Sequence, residues 1–275
     1  MPFLQSRAGG DIWYLEEGAG RPLLFVHGWC MSGAVWQLQQ RPLADRYRVI
    51  TVDLRGHGRS SAPQEGMGGI DGLAGDLLDL VQLLDLRDLV AVGWSLGAQL
   101  LLTAYTRAAR RFAGMVLVGA TPRFTAAPDF PYGLPVIEAQ GMRLKIRRNL
   151  ARALDGFHQR LFVAGELDEA TVGCQVAAVL ADVVPPTAAA ALDGLEALMG
   201  AEMLQEATRV QCPTLLIHGE QDRICLPDAS LWLARAVPDS RRIVYPGCGH
   251  APFLSRPERF NRDLIEFMEG LRDRQ

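Results

Sequence analysis

The chain has 275 residues, of which 49% are hydrophobic, 21% charged and 7% aromatic. This composition can bury a large apolar core, and it excludes a disordered chain or a coiled coil. With 31 acidic and 28 basic side chains the formal net charge is −3. The chain therefore lacks the overall positive field typical of proteins that bind nucleic acids or anionic membranes.

The N-terminal residues and the cysteines indicate the compartment. Gln5, Ser6, Arg7 and Gly9 interrupt the first apolar stretch, so it lacks the arrangement of a signal peptide. The number of cysteines is odd, and no two of them form a Cys-x-x-Cys pair. Both observations argue against a disulfide framework and a zinc site. They are Cys30, Cys174, Cys212, Cys225 and Cys248. We therefore expect a cytoplasmic protein without a metal or other cofactor.

Short apolar runs rich in Val, Ile and Leu predict β-strands. They occupy residues 23–27, 49–53, 89–93, 115–119, 214–218 and 242–245. Most are continuous rather than alternating, which is typical of strands inside a parallel sheet. Apolar residues recur at helical spacing over residues 70–86, between two of these runs. The pattern predicts an α/β fold with a mostly parallel central sheet flanked by helices.

Residues 89–106 carry no charge, and their number approaches the minimum of about 18 for a membrane span. Gly93, Ser95, Gly97 and Gln99 interrupt this stretch, and its first part has the β-branched character of a strand. We interpret it as a buried strand that turns sharply into a buried helix, and we expect no membrane partner.

The alternation of strands and helices stops between Pro122 and about Thr208, where the sequence becomes helical and rich in Ala and Arg. Both ends of this segment return to the strand pattern. We expect a helical cap at residues 123–207, inserted into an α/β core formed by residues 1–122 and 208–275.

Residues 93–97 form a G-x-S-x-G motif where a strand gives way to a helix. Such a turn presents the serine above the sheet, and glycines on either side remove Cβ atoms that would collide with the neighbouring backbone. The following helix directs its N-terminal amides to the same place, which suits a developing oxyanion. Ser95 is thus a candidate nucleophile.

A serine nucleophile needs a histidine base and a carboxylate that orients it. Asp222 and then His250 follow Ser95 in the chain, each just beyond a predicted strand. The carboxyl ends of parallel strands are where an open α/β sheet places its binding crevice. Glu220 and Asp228 remain alternative acids, although the first lies early in its loop and the second enters the next helix.

We interpret the four other histidines as structural or solvent-exposed residues, since a single histidine does not make a site. They are His27, His57, His158 and His218. Cys30 and Cys248 lie near the predicted site in the sequence, and we interpret both as packing residues.

An oxyanion hole requires a second amide besides that of Leu96, from a loop that follows an early strand. The segment His27-Gly28-Trp29 has this position. Gly28 allows the chain to turn close to a substrate, and we expect the Trp29 N–H to be the donor and its indole to wall the acyl pocket.

These motifs together resemble the α/β-hydrolase-fold serine hydrolases over nearly the whole chain. They are His27-Gly28-Trp29, the stretch from Asp53 to Ser60, the Ser95 turn, the stretch from His218 to Asp222, and Gly249-His250. The resemblance implies that Ser95, Asp222 and His250 carry catalysis and that the Trp29 and Leu96 amides bind the oxyanion.

Within that fold, the chain is most similar to the pimeloyl-acyl-carrier-protein methyl ester esterases of biotin synthesis. Further matches are Thr121-Pro122-Arg123-Phe124 and His250-Ala251-Pro252-Phe253. Cys30 and Ala98 depart from this family, which usually has Gly at both positions. The resemblance implies hydrolysis of a carboxylic ester through an acyl-enzyme, with the pimeloyl ester as substrate.

Residues 141–160 carry a formal charge of +5 within a chain of −3, from six basic residues and Asp155. We interpret them as one amphipathic helix. Its apolar stripe covers the crevice, and its cations face solvent. An acidic acyl carrier protein is the predicted partner, and Arg143, Arg147, Arg148 and Arg152 are its predicted contacts. The alternative is an ordinary solvated helix face.

Other functions fit the same motifs. The chain resembles generalist short-chain carboxylesterases and other hydrolases that cleave carbon–carbon bonds or perform lyase-like steps. From a different class, the non-enzymatic alternative is a small-ligand receptor on the same fold that keeps the pocket but has little turnover. We expect a monomer with no nucleic-acid partner.

Overall fold

A computed structural model describes residues 3–7, 9–62, 66 and 68–271. Their central element is an eight-stranded sheet. In chain order the strands are β1 (Phe3–Gln5), β2 (Asp11–Glu17), β3 (Pro22–Val26), β4 (Arg48–Val52), β5 (Leu89–Trp94), β6 (Phe112–Val118), β7 (Thr214–Gly219) and β8 (Ser240–Tyr245). Their order in the sheet is β1-β2-β4-β3-β5-β6-β7-β8. The pairs β1–β2 and β2–β4 are antiparallel, and the other pairs are parallel.

Helices flank this sheet and fill the long connection between β6 and β7. They are α1 (Gln37–Ala44), α2 (Gly69–Leu83), α3 (Leu96–Ala108), α4 (Val136–Arg148), α5 (Leu150–Arg160), α6 (Ala170–Ala181), α7 (Ala188–Gly200), α8 (Leu204–Thr208), α9 (Pro227–Ala236), α10 (Pro252–Ser255) and α11 (Pro257–Gly270). Within the described ranges, every helix is too short or too polar to cross a membrane.

The predicted parallel strands are confirmed. Each of the six apolar runs forms a strand within three residues of its predicted ends. Every residue of β5 and β7 is buried, because helices cover both faces of the sheet there. The uncharged stretch that begins at residue 89 forms β5 and then α3, as predicted.

The strands β1 and β2 were not predicted. The strand β2 has a mixed burial pattern, since its last two residues, Glu16 and Glu17, are exposed. An antiparallel strand near a sheet edge needs no continuous apolar run, so this strand gives a weak sequence signal.

The segment between β6 and β7 holds five helices, α4 to α8. Among the described residues of this segment, β-pairing is limited to isolated bridges such as Arg123 with Glu202. The division of the chain into a core and an inserted cap stays a prediction.

The prediction of one continuous helix over residues 141–160 is wrong. The chain forms α4 and α5, separated by Asn149 in an extended conformation with φ −163° and ψ 101°. The Asn149 Oδ1 accepts the Arg152 N–H at 3.0 Å. Asparagine is a preferred N-cap because its side chain satisfies a free amide of the first turn, so a new helix begins here. The expected apolar stripe is nevertheless covered, since Ile146, Leu154 and Phe157 are buried.

Candidate active site

Ser95 occupies the turn between β5 and α3, in a backbone conformation that side chains rarely adopt, with φ 55° and ψ −113°. The turn is so tight that a Cβ on Gly93 would lie only 2.6 Å from the Gly97 oxygen. The Ser95 N–H donates to the Val118 carbonyl at 2.9 Å, which attaches the turn to the end of β6. A strained residue persists only where its surroundings fix it, and here they hold a serine at the carboxyl edge of the sheet.

Asp222 and His250 form a hydrogen-bonded pair beyond the ends of β7 and β8. The His250 Nδ1 lies 2.6 Å from Asp222 Oδ2, and both side chains are fully buried. A proton on Nδ1 leaves Nε2 with a lone pair. The pairing therefore selects the tautomer that a general base needs.

The Asp222 carboxylate is surrounded by donors. Its Oδ1 accepts the backbone N–H groups of Ile224 at 2.8 Å and Cys225 at 3.1 Å. Burial alone would raise the pKa of Asp222, but His250 and His218 together lower this pKa well below its ordinary value. The acid is therefore ionised at neutral pH, which suits a group that stabilises an imidazolium.

The His250 ring is fixed on several sides. Its backbone N–H donates to Leu161 O at 2.7 Å, and the Trp94 indole N–H donates to His250 O at 2.9 Å. A Cβ on Gly119 would lie 3.0 Å from the ring, so only glycine leaves space for the imidazole. Its Nε2 is buried without a hydrogen-bond partner within the described part of the chain. The lone pair of this nitrogen is therefore free to accept a proton, as a general base requires.

The structure thus brings Asp222 and His250 together and places Ser95 beside Trp94, whose ring centroid is 5.4 Å from that of His250. The Ser95 hydroxyl contacts the Cys225 Sγ at 4.0 Å, and among the described residues it has no hydrogen bond to His250. Nucleophile–base hydrogen bonds are often long or absent without substrate. Burial raises the pKa of the Cys225 thiol well above its usual value, so this neighbour is neutral.

Two backbone amides are available for an oxyanion. Within the described ranges, the N–H groups of Trp29 and Leu96 donate to no protein acceptor. Leu96 is the first residue of α3, whose dipole adds positive potential. Cys30, next to Trp29, has φ 56° and is buried. Glycine adopts this conformation without strain, which explains the glycine expected here by resemblance.

A mainly apolar pocket lies between Ser95 and the helices α4, α5 and α7. Its volume is about 470 Å³. Its lining residues are Trp29, Ser95, Phe124, Leu134, Glu138, Ala139, Met142, Phe157, Arg160, Leu195, Leu198 and Ile224. The Trp29 indole packs edge-on against Phe157 and donates to Ala191 O at 2.8 Å. The indole therefore lines this pocket and links it to α7.

The match to known proteins agrees with this geometry. Residues 21–257 match the family model described as the alpha/beta hydrolase fold. The chain belongs to the α/β-hydrolase family.

Several relatives in this family are named for an activity. A pimeloyl-acyl-carrier-protein methyl ester esterase from Nitrosospira multiformis is 31% identical, over 92% of this chain and 97% of that protein. A non-heme haloperoxidase from Rhodococcus erythropolis is 32% identical over 98% of this chain and 100% of that protein. An esterase from Exiguobacterium antarcticum superposes with a TM-score of 0.89 at 24% identity, covering 97% of this chain and 98% of that one, which shows the shared fold.

The predicted carrier-protein contacts differ in their surroundings. Arg143 pairs with Glu196 at 3.0 Å, so its charge is partly neutralised. Arg147, Arg148 and Arg152 are exposed, and in the described part of the chain no carboxylate lies within 4.0 Å of their guanidinium groups.

The alternative acids and two of the other histidines make separate contacts. Glu220 accepts the Gly247 N–H at 3.1 Å, and Asp228 lies in the first turn of α9. His27 Nε2 accepts the Leu54 N–H at 2.9 Å, and His57 Nδ1 donates to Arg55 O at 3.0 Å. Burial lowers the pKa of both histidines to about 4, so both are neutral core residues.

Two buried residues beside the site had no role in the sequence analysis. The Glu166 carboxylate accepts the backbone N–H groups of Val163 and Gly249, each at 2.8 Å, and the Ser255 hydroxyl. Cys225 contacts both Ser95 and Asp222. Neither residue has a motif that could have revealed it. In the described ranges, no group of three or more His, Cys, Asp or Glu side chains is placed to hold a metal ion.

Proposed function

We propose that the chain is a serine carboxylesterase in which Ser95 is the nucleophile, His250 the base and Asp222 the acid that orients it. The observation that carries this proposal is the buried Asp222–His250 pair, which leaves His250 Nε2 unpaired at the edge of the sheet where Ser95 is held in a strained turn. Two free amides at the same edge of the sheet, those of Trp29 and Leu96, supply the oxyanion hole.

The reaction follows from these positions. The Ser95 hydroxyl attacks the ester carbonyl and passes its proton to His250 Nε2, while the carbonyl oxygen becomes an oxyanion bound by the amides of Trp29 and Leu96. The imidazolium, stabilised by Asp222, then protonates the departing alcohol, which leaves an acyl-enzyme. Water attacks the acyl group by the same route and releases the acid.

For the substrate, we propose the methyl ester of pimeloyl-acyl carrier protein. Relatives in Nitrosospira multiformis and Nitrosomonas europaea are named for this ester, at 31% and 34% identity. The pocket suits an aliphatic acyl chain, because its lining is mainly apolar and its volume small. Hydrolysis of a broad range of small esters is the competing outcome of the test.

The cap supplies a surface for the carrier. A groove with an empty volume of about 1210 Å³ runs between α4 and α5, and it shares Met142 and Arg160 with the pocket beside Ser95. Lys145, Arg148 and Arg152 line this groove. An acidic carrier protein bound there would have its acyl arm close to the pocket, because the two cavities are adjacent.

An exposed apolar side chain lies among these cations. On α4, Leu144 is 64% exposed, and it is one residue before Lys145 and four before Arg148. An apolar side chain beside unpaired charges adds apolar contact area to a protein-binding surface.

A fluorophosphonate probe tests the enzyme proposal. Such a probe bonds covalently to an activated serine, so the wild type should be labelled and Ser95→Ala should not. Ester hydrolysis by Ser95→Ala should fall by about 10³-fold or more while the fold is retained. A wild type that neither reacts with the probe nor hydrolyses esters would be a receptor.

Charge reversal tests the carrier proposal. Arg148→Glu with Arg152→Glu should lower kcat/KM on the carrier-bound ester by about ten-fold at low salt, and less at high salt. Hydrolysis of a small free methyl ester should not change. The matched control is Arg110→Glu with Arg262→Glu, which changes the net charge equally at exposed sites outside residues 123–207. Equal losses on both substrates would refute docking on this surface.

A further inference from the structure

A third imidazole lies beside the Asp222–His250 pair. His218 is the penultimate residue of β7 and is fully buried. Its Nε2 lies 2.8 Å from the Cys225 carbonyl oxygen and 3.2 Å from Asp222 Oδ2. The Asp222 oxygen that contacts His250 therefore lies between two histidine rings.

The contacts of His218 determine its tautomer. A carbonyl oxygen only accepts hydrogen bonds, so Nε2 must carry the proton that it donates to Cys225 O. The opposite nitrogen, Nδ1, is buried without a partner in the described part of the chain. An unpaired lone pair at Nδ1 is consistent with this assignment, whereas the other tautomer would leave a buried N–H group without an acceptor.

These contacts close a ring of three residues. His218 donates to the Cys225 carbonyl, the Cys225 N–H donates to Asp222 Oδ1, and Asp222 Oδ2 lies against His218 Nε2. A closed ring limits both the side-chain torsions of the acid and the path of the loop. The same loop brings the Cys225 Sγ to 4.0 Å from the Ser95 hydroxyl. A shift of Cys225 would therefore disturb the acid and the nucleophile together.

We infer that His218 is a positioning residue, which holds the loop from Asp222 to Cys225 so that the acid meets His250 and Cys225 keeps its place beside the Ser95 side chain. This inference rests on the proposed function, because it assigns His218 a task in the same reaction. His218 contacts no substrate and exchanges no proton with it.

The decisive variant is His218→Leu, which removes the donor and keeps an apolar side chain of similar size. Displacement of the acid should lower kcat by about 10- to 100-fold and change KM less, because His218 does not line the acyl pocket and Ile224 is the loop residue that does. His218→Gln has an amide N–H that can reach the position of Nε2, and it should recover most of the lost kcat.

The matched control is His57→Leu. His57 is equally buried, also donates one bond to a carbonyl and also has one unpaired nitrogen, but it lies away from the acid. Both leucine variants should lower the melting temperature to a similar extent, and only His218→Leu should lose kcat. Equal loss of kcat in both, or wild-type kcat in His218→Leu, would overturn the inference.

Nuclear magnetic resonance separates this inference from the proposed function. Nitrogen shifts of the wild type should show the proton of His218 on Nε2, and a proton on Nδ1 would refute the inference even if no variant folds. The low-field signal of the His250 Nδ1 proton should shift in His218→Leu and not in His57→Leu. Failure of the proposed function would appear independently, as full activity of Ser95→Ala.

Discussion

Glu166 Oε2 accepts the Gly249 N–H at 2.8 Å, so a buried carboxylate from the segment between β6 and β7 holds the residue that precedes His250. The adjoining Leu161 carbonyl accepts the His250 N–H at 2.7 Å. The helical segment is therefore joined to the proposed base by two bonds, besides covering the pocket. Any change that loosens Glu166 should affect both stability and catalysis.

Glu166→Leu should destabilise the protein. Three donors, from Val163, Gly249 and Ser255, would lose their acceptor, and the last two are buried. Each buried unsatisfied group costs about 1–3 kcal/mol, so we expect a total loss of about 3 kcal/mol or more in the free energy of unfolding. Denaturant titration measures it. Ser255→Ala, which removes one donor only, is the control, and a loss in Glu166→Leu no larger than in this control would contradict the prediction.

Asp222→Asn should lower kcat by about 10³- to 10⁴-fold with little change in the fold, as for the equivalent change in a serine protease. The asparagine amide N–H can donate to His250 Nδ1. The ring proton then lies on Nε2, so this nitrogen can no longer accept the proton of Ser95. Steady-state hydrolysis of a methyl ester measures the effect. Glu220→Gln and Asp228→Asn are the controls, because the sequence also offered these acids. A comparable loss in either control would refute the assignment of Asp222.

Much of the site could be predicted from the sequence because its signals are local. The turn at Ser95 follows from glycines two residues away on either side, and the parallel strands follow from continuous apolar runs. The order of Ser95, Asp222 and His250 along the chain, with the positions of the strands, was enough to bring the acid and the base together at one edge of the sheet.

The remaining features depend on contacts between distant parts of the chain. Glu166 lies 83 residues before Gly249, and nothing in its neighbourhood indicates that its carboxylate is buried. The break at Asn149 depends on competition between capping and helix continuation, which the periodic apolar pattern conceals. The role of His218 appears only when the loop at Cys225 folds back against it.

Gly97→Ala should damage both stability and activity. An added Cβ would lie well inside 3.0 Å of the Val26 carbonyl oxygen, and 2.8 Å from that of His27. Because backbone must move, we expect a loss of about 2 kcal/mol in the free energy of unfolding, and a lower kcat as the Trp29 amide shifts. Gly75→Ala, inside α2 with no atom within 4 Å, is the control and should stabilise the protein by about 0.5–1 kcal/mol. Equal behaviour of the two variants would show that the turn is not tightly packed.

Acid should destabilise the fold through His27 and His57. Burial lowers the pKa of each histidine from 6.5 to about 4, so between these values the unfolded chain binds more protons than the folded one. The free energy of unfolding should therefore fall as the pH decreases from about 6.5 to 4, by up to about 3 kcal/mol for each histidine that titrates independently. The lowered pKa of Asp222 acts in a different window, since its contribution is lost only below about pH 4. The melting temperature should decline as the pH is lowered across this range. The melting temperature of His57→Leu, compared with its own value at pH 7.5, should decline less steeply. An identical slope in the variant would mean that His57 is already protonated in the folded protein or is not buried.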